Sequence, residues 1–422
     1  MPMSPLMARP ELPPHTPRPA AAPLALGGLR VIDFSRMLSG PFGTQFLADF
    51  GAEIIKIEAP VIGDDSRHYT TTHLAGECAF YLATNRNKQS VTLDLKNPAG
   101  REIARRLIAG ADIVVENFTN GVMERFGLDY PSVVKDNPRL IYCSISGFGR
   151  DDPAPVARPS YDAMAQAGSG LMSLTGEADR LPIRTQVPIL DATTALTAAN
   201  AVLAAVVARE RHGIGQQVEV ALVDVGMAAL TLYGMSYLVS GNDMNRNGNR
   251  APQTAPSDCY ATADGPIFIT CGNQRLFIRL AEALERPELA DDPEFADNAT
   301  RVRHTERLTR ELASAFATRT RAEWLARLNA AGVPCAPVLT VGEAYASDDV
   351  RRRAIATAIP HPTAGTVPNV RSPIVMSGTP LADPVAPPLL GQHTRAVMTG
   401  LLGMDAAQFD DFSARGAFGP VT

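Results

Sequence analysis

The 422-residue chain lacks the features that mark several large classes of protein. Its net charge is −5, so no basic excess predicts binding to nucleic acid or to an anionic membrane surface. The longest apolar stretch, residues 195–208, is interrupted by Thr197 and Asn200 and is shorter than the roughly 20 residues that a membrane-spanning helix needs. The N-terminus has no apolar core typical of a secretory signal. We therefore expect a cytoplasmic protein with no membrane or nucleic-acid partner.

Cysteine and histidine do not occur in patterns that bind metals or form disulfide frameworks. The five cysteines are odd in number, widely spaced and without a Cys-x-x-Cys motif. The seven histidines show no His-Glu-x-x-His spacing, so we predict no metal site. Gly-x-Ser-x-Gly and phosphate-binding Gly-x-x-x-x-Gly-Lys motifs are missing. Residues 168–170 resemble part of a dinucleotide fingerprint, but the final glycine and the preceding strand are lacking.

The remaining composition is that of a globular chain with two or three domains of about 150 residues each. Apolar residues make up 45% of it and aromatic residues only 6%, which predicts a largely aliphatic core. The first 25 residues are rich in proline and alanine without periodicity, which is typical of disorder. The predicted organisation is a disordered tail over 1–25, a large α/β domain over 26–225, a linker over 226–250, a small α/β domain over 251–345, and a segment over 346–422 that returns to the large domain. Prolines between residues 360 and 391 predict an extended segment that wraps another surface.

Strand and helix patterns alternate along the first 225 residues. Gly40-Pro41 is predicted to open a helix, Asn97-Pro98 is predicted to cap a helix that runs to Ala109, and an Ala-rich helix is predicted over 191–209. Strands are predicted over residues 29–34, 53–58, 90–95, 112–115, 139–145 and 217–222. This alternation implies a parallel sheet in an α/β domain. The second unit is predicted to contain a strand over 266–270 and helices over 275–284, 305–316 and 321–331.

Three segments near predicted strand ends are candidates for ligand binding. Residues 33–41 join a strand to a helix through small side chains, at the edge where parallel sheets bind ligands. Residues 85–88 are basic and polar and are followed by Lys96, whereas residues 116–118 include an aromatic ring and are followed by Arg125. Such groups suit an adenine ring and phosphates. On the residues alone, each segment could equally be a simple turn or a solvated surface charge.

Seven sequence blocks, taken in order, resemble the class III CoA-transferase family, which includes formyl-CoA transferase and carnitine CoA-transferase. The blocks are GLRVIDFSRMLSGPF, LADFGAEIIKIE, NRNKQSVTLDLK, ADIVVENF, LIYCSISGFG, SYDAMAQAGSG and GQQVEVALVD. The resemblance covers Gly28 to about Gly400. It implies a large Rossmann-like parallel-sheet domain, a smaller α/β domain, and a homodimer whose two chains interlock like rings.

The resemblance places the family's nucleophilic aspartate at Asp191. From the residues alone, Asp191 follows an apolar run over 187–190, predicted to be a strand, and precedes a helix of small residues. In that position it would be a helix N-cap worth about 1 kcal/mol, and the two roles are compatible. A carboxylate nucleophile forms an anhydride and then a thioester, which conserve the energy of the acyl-CoA, whereas a serine would form a stable ester.

The resemblance also implies a set of residues that contact coenzyme A. This set consists of Leu38, Ser39, Leu93, Lys96, Asn117, Phe118, Arg125, Arg158 and Tyr161. Within it, Lys96 and Arg125 are the best candidates for the phosphates. Gly248 and Asn249 resemble a loop of the small domain that closes over the acyl site. The coenzyme A thioester is a substrate, and we expect no separate cofactor.

Two departures from the formyl-CoA transferases bear on the second substrate. Those enzymes have glutamine where this chain has Leu38, and glycines where it has Arg246 and Asn247. We therefore expect a C4–C5 dicarboxylate, which receives CoA from a donor such as succinyl-CoA, with Arg246 facing the second carboxylate. One alternative is an α-methylacyl-CoA racemase, but its acid/base histidine would stand where this chain has Tyr161. Another is a non-catalytic acyl-CoA-binding paralogue that keeps Asp191 only as a cap.

Overall fold

A computed structural model of the chain describes residues 10–151, 158 and 160–419, and these form two compact units. The first unit combines the described residues within Met1–Gly170, Gln186–Gly234 and Asp348–Thr422. The second combines Leu171–Thr185 with Met235–Ser347. The C-terminal segment thus belongs to the same unit as the N-terminal half.

The strands and helices are numbered in chain order. The strands are β1 (Arg30–Asp33), β2 (Glu53–Glu58), β3 (His73–Leu74), β4 (Glu77–Cys78), β5 (Lys88–Thr92), β6 (Ile113–Glu116), β7 (Ile141–Ser146), β8 (Gln216–Ala221), β9 (Ser257–Ala261), β10 (Pro266–Thr270), β11 (Cys335–Pro337), β12 (Ala356–His361) and β13 (Gly365–Val370). The helices are α1 (Ser39–Asp49), α2 (Ala79–Thr84), α3 (Pro98–Ala109), α4 (Val122–Phe126), α5 (Tyr130–Val133), α6 (Asp162–Gly168), α7 (Ile189–His212), α8 (Leu222–Ala229), α9 (Leu232–Ser240), α10 (Gln274–Ala283), α11 (Glu288–Asp291), α12 (Asn298–Arg303), α13 (Thr305–Phe316), α14 (Arg321–Ala330), α15 (Val341–Tyr345), α16 (Asp348–Arg352), α17 (Thr394–Leu402) and α18 (Ala406–Ala414).

A six-stranded parallel sheet forms the centre of the first unit. Its strand order is β5-β2-β1-β6-β7-β8, and every neighbouring pair is parallel. Numbered along the chain, these strands have the order 3-2-1-4-5-6 of a Rossmann fold, which confirms the predicted Rossmann-like sheet. The central strands are continuous runs of buried branched residues such as Val31, Ile32 and Val114, as expected for a sheet covered on both faces.

The strand order reverses between β1 and β6, and this reversal locates the candidate site. Chain connections leave these two strands in opposite directions, so a crevice opens beyond their carboxyl ends. The connection from β1 to α1, residues 34–38, borders the crevice on one side. Asn117 and Phe118, which follow β6, border it on the other.

Most predicted elements of the first unit are present within a few residues of their predicted ends. Strand β2 and helix α3 coincide with the prediction, and the Asn97 side chain accepts a hydrogen bond from the Ala99 amide as the N-cap of α3. The strand predicted over 187–190 is wrong, since Ile189 and Leu190 form the first turn of α7. A run of four apolar residues is equally compatible with a strand and with the first turn of a buried helix.

Helix α7 is 24 residues long and is apolar enough, by length and composition, to span a membrane. Its small residues nevertheless pack against α1, where the Ala195 carbonyl lies 3.0 Å from the position of a Cβ atom on Gly43. Near its C-terminal end, the buried Arg209 forms an ion pair with Asp112 at 3.0 Å. These contacts are typical of a packed helix in an α/β unit.

The two terminal segments lie against the first unit. Residues 10–25, part of the tail predicted to be disordered, have defined partners: Pro14 bridges to Ala358, and His15 lies 2.9 Å from Asp383. The proline-rich segment forms the hairpin β12–β13 and then follows the edge strand β5, where the His393 amide donates to the Ser90 carbonyl. These contacts cover an otherwise open sheet edge.

The second unit is a small α/β arrangement. Its antiparallel sheet has the order β11-β10-β9, and helices α10 to α14 follow β10 along the chain. The single tryptophan, Trp324, is buried with its ring centroid 5.3 Å from that of Phe316. This core is therefore more aromatic than the composition of the whole chain suggested. Residues 226–240, predicted to be part of a linker, belong mainly to helices α8 and α9.

Candidate active site

Asp191 lies in the first turn of α7, two residues after the helix begins. The N-cap position belongs to Pro188, which makes no side-chain cap hydrogen bond. The capping group is instead Asp162, whose Oδ1 accepts from the Leu190 amide at 2.8 Å and from the Asp191 amide at 3.2 Å. The predicted cap role of Asp191 is therefore wrong, because a carboxylate 29 residues earlier in the chain satisfies the free amides of this helix.

Asp162 is fully engaged in that structural role. It begins α6, is 6% exposed, and its Oδ2 accepts a hydrogen bond from Gln166 one turn later. Both of its carboxylate oxygens thus have donors within the protein. Asp162 lies close to Asp191, but it is the Asp191 carboxylate that remains at the partly open first turn of α7.

The surroundings of Asp191 favour its protonated form. Burial, followed by the negative charge of Asp162, raises the pKa of Asp191 to about 7. A hydrogen bond from the Ser39 hydroxyl acts in the opposite direction and lowers it. The N-terminus of α7 also favours a negative charge in its first turn. At neutral pH this carboxylate is thus poised between its two protonation states, with a basicity well above that of an ordinary aspartate.

The segment from Ser35 to Pro41 carries two members of the predicted CoA-contacting set, Leu38 and Ser39. Leu38 is the N-cap residue of α1, and Ser39, the first residue of that helix, is buried. Just before them, Met37 has a φ of 67°, in the left-handed region that non-glycine residues rarely adopt. The segment thus approaches Asp191 with a strained backbone.

Asn117 and Phe118, also predicted CoA contacts, border this segment from the β6 side. The Asn117 amide accepts from the Arg36 N–H and donates to the Arg36 carbonyl, both at 2.8 Å. The Arg36 guanidinium lies 5.0 Å from the centre of the Phe118 ring and 3.1 Å from Asp65. The structure therefore brings Leu38, Ser39, Asn117 and Asp191 into one connected part of the first unit.

The other predicted CoA contacts differ in how available they are. Lys96 and Arg125 have exposed side chains, and Arg158 is exposed with its guanidinium 3.9 Å from the centre of the Phe148 ring. Tyr161 is 56% exposed and directly precedes Asp162. Leu93 is an exception, since it is 1% exposed within the core of the first unit. Side chains alternate between the two faces of the extended chain after β5, and that of Leu93 points into the core, where it cannot contact a ligand.

The predicted substrate loop lies in the second unit, and contacts within that unit account for its conformation. Gly248 has a φ of 61°, donates its amide to the Gly176 carbonyl at 3.0 Å, and leaves no space for a Cβ atom beside Glu177. Asn249 is exposed. The Arg246 guanidinium donates to the backbone carbonyls of Glu177 and Arg180 at 3.2 and 2.7 Å. Arg246 therefore joins two loops of its own unit, and its expected role at a substrate carboxylate is not supported.

Sequence reasoning missed the buried charges beneath the Ser35–Pro41 segment. They are Asp33, Lys56, Asp64 and Lys88, each at most 3% exposed. Residues 85–88, considered for phosphate binding, are engaged inside the unit: Arg86 pairs with Asp49, and Lys88 is completely enclosed as a side chain. The available signal was the position of Lys56 between Ile55 and Ile57 in a predicted strand. Among the residues that the structure describes, no group of three or more His, Cys, Asp or Glu is placed to hold a metal ion.

Comparisons with known proteins give a matching family model and several similar proteins. The family model described as CoA-transferase family III matches residues 26–394. The succinate–glutarate CoA-transferase of Agrobacterium fabrum is 38% identical over 383 residues, which are 89% of this chain and 95% of that protein. The acetyl-CoA:oxalate CoA-transferase of Acetobacter aceti is 40% identical over 318 residues, which are 75% and 81% of the two chains. The crystal structure of a CAIB/BAIF family protein from Brucella suis matches with a TM-score of 0.81 and 38% identity, covering 89% of this chain and 98% of that one.

Proposed function

The chain belongs to CoA-transferase family III, and from that premise we propose that it moves coenzyme A from succinyl-CoA to a C4–C5 dicarboxylate, with Asp191 as the nucleophile. The observation that carries this proposal is the position of Asp191. It lies in the first turn of α7, beside the Ser39 hydroxyl, and has no part in capping its own helix. A carboxylate with a pKa of about 7 is a stronger nucleophile than an ordinary aspartate and is still largely ionised at pH 8.

The proposed reaction consists of four acyl transfers. The Asp191 carboxylate attacks the thioester carbonyl, which forms a mixed anhydride and releases the CoA thiolate. The thiolate then attacks the aspartyl carbonyl, forming an aspartyl-CoA thioester and releasing the donor acid. The acceptor carboxylate attacks this thioester, again releasing the thiolate, which finally attacks the acceptor's carbonyl and frees Asp191. No water enters, and each intermediate keeps an activated acyl group.

Replacement of Asp191 tests the assignment directly. Asp191→Asn should lower the transfer rate by at least about 10³-fold, or about 4 kcal/mol of barrier, because an amide cannot form the anhydride. Wild-type protein mixed with acyl-CoA and then with hydroxylamine should carry a hydroxamate at Asp191, located by peptide mass mapping. Asp162→Asn is the matched variant of the neighbouring carboxylate and should still be modified at Asp191. Label on Asp162, or more than a tenth of the activity in Asp191→Asn, would refute the assignment.

The proposed acceptor class draws on the relative from Agrobacterium fabrum, which is named for succinate and glutarate. The relative from Acetobacter aceti is named for oxalate, so the experiment must compare acceptor acids of different carbon-chain length. A panel of glutarate, itaconate, oxalate and formate, each offered with succinyl-CoA, compares kcat/KM directly. Glutarate or another C4–C5 acid should give the highest value. Oxalate as the best acceptor would refute the proposed acceptor class and leave the role of Asp191 untouched.

We also propose that the protein is a homodimer, interlocked as in the enzymes it resembles. Helix α9 supports this, because its apolar side chains are exposed in the single chain: Leu238 is 76% and Val239 80% exposed, and Leu232, Met235 and Tyr237 add to the same helix. Large exposed apolar surfaces mark contacts between proteins, and an obligate dimer should bury well over about 2,000 Å².

Sedimentation measurements on Leu238→Glu test this contact. The variant should dissociate, aggregate or lose activity at micromolar concentration, whereas Val341→Glu, a change at an equally exposed residue of α15, should leave the wild-type dimer intact. A folded, active wild-type monomer would refute the proposal. The cytoplasmic location and the absence of a cofactor remain predictions.

A further inference from the structure

The Ser35–Pro41 segment is held from below by side chains that no substrate can reach. Lys56 and Asp64 both have completely buried side chains and form an ion pair at 2.7 Å. The Lys56 ammonium donates to the Ser35 carbonyl at 2.8 Å, and the Asp64 Oδ1 accepts from the Met37 amide at 3.0 Å. One buried pair therefore binds the backbone on both sides of Arg36, where the chain enters its left-handed turn.

A second buried pair binds the far end of the same segment. The Lys88 ammonium donates to the Pro41 carbonyl at 2.8 Å and lies 3.1 Å from Asp33 Oδ2. Asp33 in turn accepts from the Ser35 amide at 2.9 Å and from the Thr44 hydroxyl at 2.7 Å. Lys56, Asp64 and Lys88, here named the loop clamp, thus fix backbone atoms before and after Leu38 and Ser39.

Burying these charges costs desolvation free energy, and their contacts are directed hydrogen bonds to the backbone of the segment. Each ammonium uses a backbone carbonyl of the segment as well as a carboxylate, so the attraction between the charges is directed at the segment. Burial raises the pKa of Asp64, but Lys56 and the amides of Ser66 and Met37 outweigh this effect and lower the pKa to about 2. Burial lowers the pKa of Lys88 to about 8, and Asp33 opposes this change. The clamp is therefore charged at neutral pH, when its hydrogen bonds to the segment are strongest.

We propose that the loop clamp is a positioning device for catalysis: by fixing the segment around the left-handed Met37, it sets the Ser39 hydroxyl against the Asp191 carboxylate. This inference rests on the proposed role of Asp191. The clamp residues themselves touch no substrate. Because misplacing a catalytic contact by 1 Å can cost about 100-fold in rate, loosening the segment should slow the transfer even where the fold persists.

The test is a double variant that removes one buried pair without leaving an unpaired charge. Lys56→Met with Asp64→Asn should lower kcat about 10- to 100-fold and leave the KM for succinyl-CoA within about threefold. Since Ser39 lowers the pKa of Asp191, a displaced Ser39 should also move the acid limb of the kcat/KM profile to higher pH. The groups that face Asp191 here are Ser39 from α1 and Asp162 from α6.

The matched control removes a comparable buried pair from the other end of α1. Arg86 and Asp49 are paired and almost fully buried, and Arg86 also donates to the Val370 carbonyl, far along the chain from the segment. Arg86→Met with Asp49→Asn should destabilise the protein to a similar extent and leave kcat and the acid limb unchanged. If the clamp variant does not fold, Lys88→Met with Asp33→Asn, which removes the second pair and the contacts of Lys88 at Pro41 and Asn85, should show the same two effects.

A double-mutant comparison distinguishes positioning of Ser39 from a general loss of structure. If the clamp acts through Ser39, its variants should cost much less in a Ser39→Ala background than in the wild type. Fully additive losses, or clamp variants with the kcat and acid limb of the wild type, would overturn the inference. An active Asp191→Asn would instead refute the proposed function, so the two failures are distinguishable.

Discussion

Replacing Asp191 with asparagine should stabilise the protein at alkaline pH while abolishing its activity. The change preserves the shape of the side chain, and the cap of α7 stays intact because Asp162 supplies it. What disappears is a negative charge that is partly buried beside a second carboxylate. Because desolvation and like-charge repulsion both act on the ionised form only, the gain should depend on pH.

The size and sign follow from the two pKa values. The pKa of Asp191 is about 7 in the folded protein, against 3.8 for an ordinary aspartate. Between these values the folded state binds more protons than the unfolded one, so wild-type stability falls as pH rises from about 4 to 7. A difference of about 3 pH units corresponds to an upper limit of about 4 kcal/mol. Because the side chain is only partly buried, we expect about 1–3 kcal/mol, fully developed above pH 7.

Thermal and urea unfolding at pH 4.5 and pH 8 measure this effect. For a cooperative unit of this size, 1 kcal/mol changes Tm by about 1–2 °C, so Asp191→Asn should exceed the wild type by a few degrees at pH 8. At pH 4.5 the difference should fall to about a quarter of its value at pH 8, because that pH lies only slightly above the pKa of an unfolded aspartate. Asp179→Asn, at an exposed aspartate, is the control and should show neither effect. An Asp191→Asn protein that is less stable than the wild type at pH 8, or a gain independent of pH, would refute the reasoning.

Three other outcomes are expected. The acid limb of the kcat/KM profile should lie near pH 7 and move to lower pH in Asp162→Asn, since the second carboxylate charge is lost and the asparagine oxygen still accepts the helix amides; an unchanged limb would contradict this. Lys96→Ala or Arg125→Ala should raise the KM for the acyl-CoA and not that for the acceptor acid, and an equal rise in both would remove them from the phosphate site. Gly248→Ala should lower the stability by about 1 kcal/mol because of its positive φ, whereas Gly342→Ala in helix α15, with open space around it, should not.

Local patterns were sufficient to predict the sheet. Strands β1, β2 and β6 contain short runs of branched apolar residues, and the alternation of strands with helices implies parallel pairing. Strand β2 and helix α3 were predicted to the residue for this reason. The apolar run before Asp191 was misassigned, because its helical state depends on Asp162, which binds the first amides of α7 from 28 residues away. A short stretch of sequence around that run does not include Asp162 and therefore cannot predict the helix start.

The roles of individual polar residues were harder to predict, because they depend on contacts distant in the chain. Arg246 has the charge that a dicarboxylate would require, but carbonyls more than 60 residues earlier accept its hydrogen bonds. Lys88 belongs to a basic, polar segment typical of phosphate binding, yet its ammonium is enclosed beneath Pro41. In both cases the charge suggested an anionic ligand, and the fold supplies internal acceptors instead.

The structure removes the cap role that the sequence offered for Asp191. A cap contributes to stability because its oxygen accepts otherwise free helix amides, and in α7 the Leu190 and Asp191 amides already have Asp162 as their acceptor. A second carboxylate in the same turn then adds desolvation and repulsion that outweigh the favourable Ser39 hydrogen bond, as the raised pKa of Asp191 reports. A neutral residue at position 191 would be better for folding alone. The proposed nucleophilic role would account for this charge at the first turn of α7, where a basic, partly open carboxylate meets the Ser39 hydroxyl.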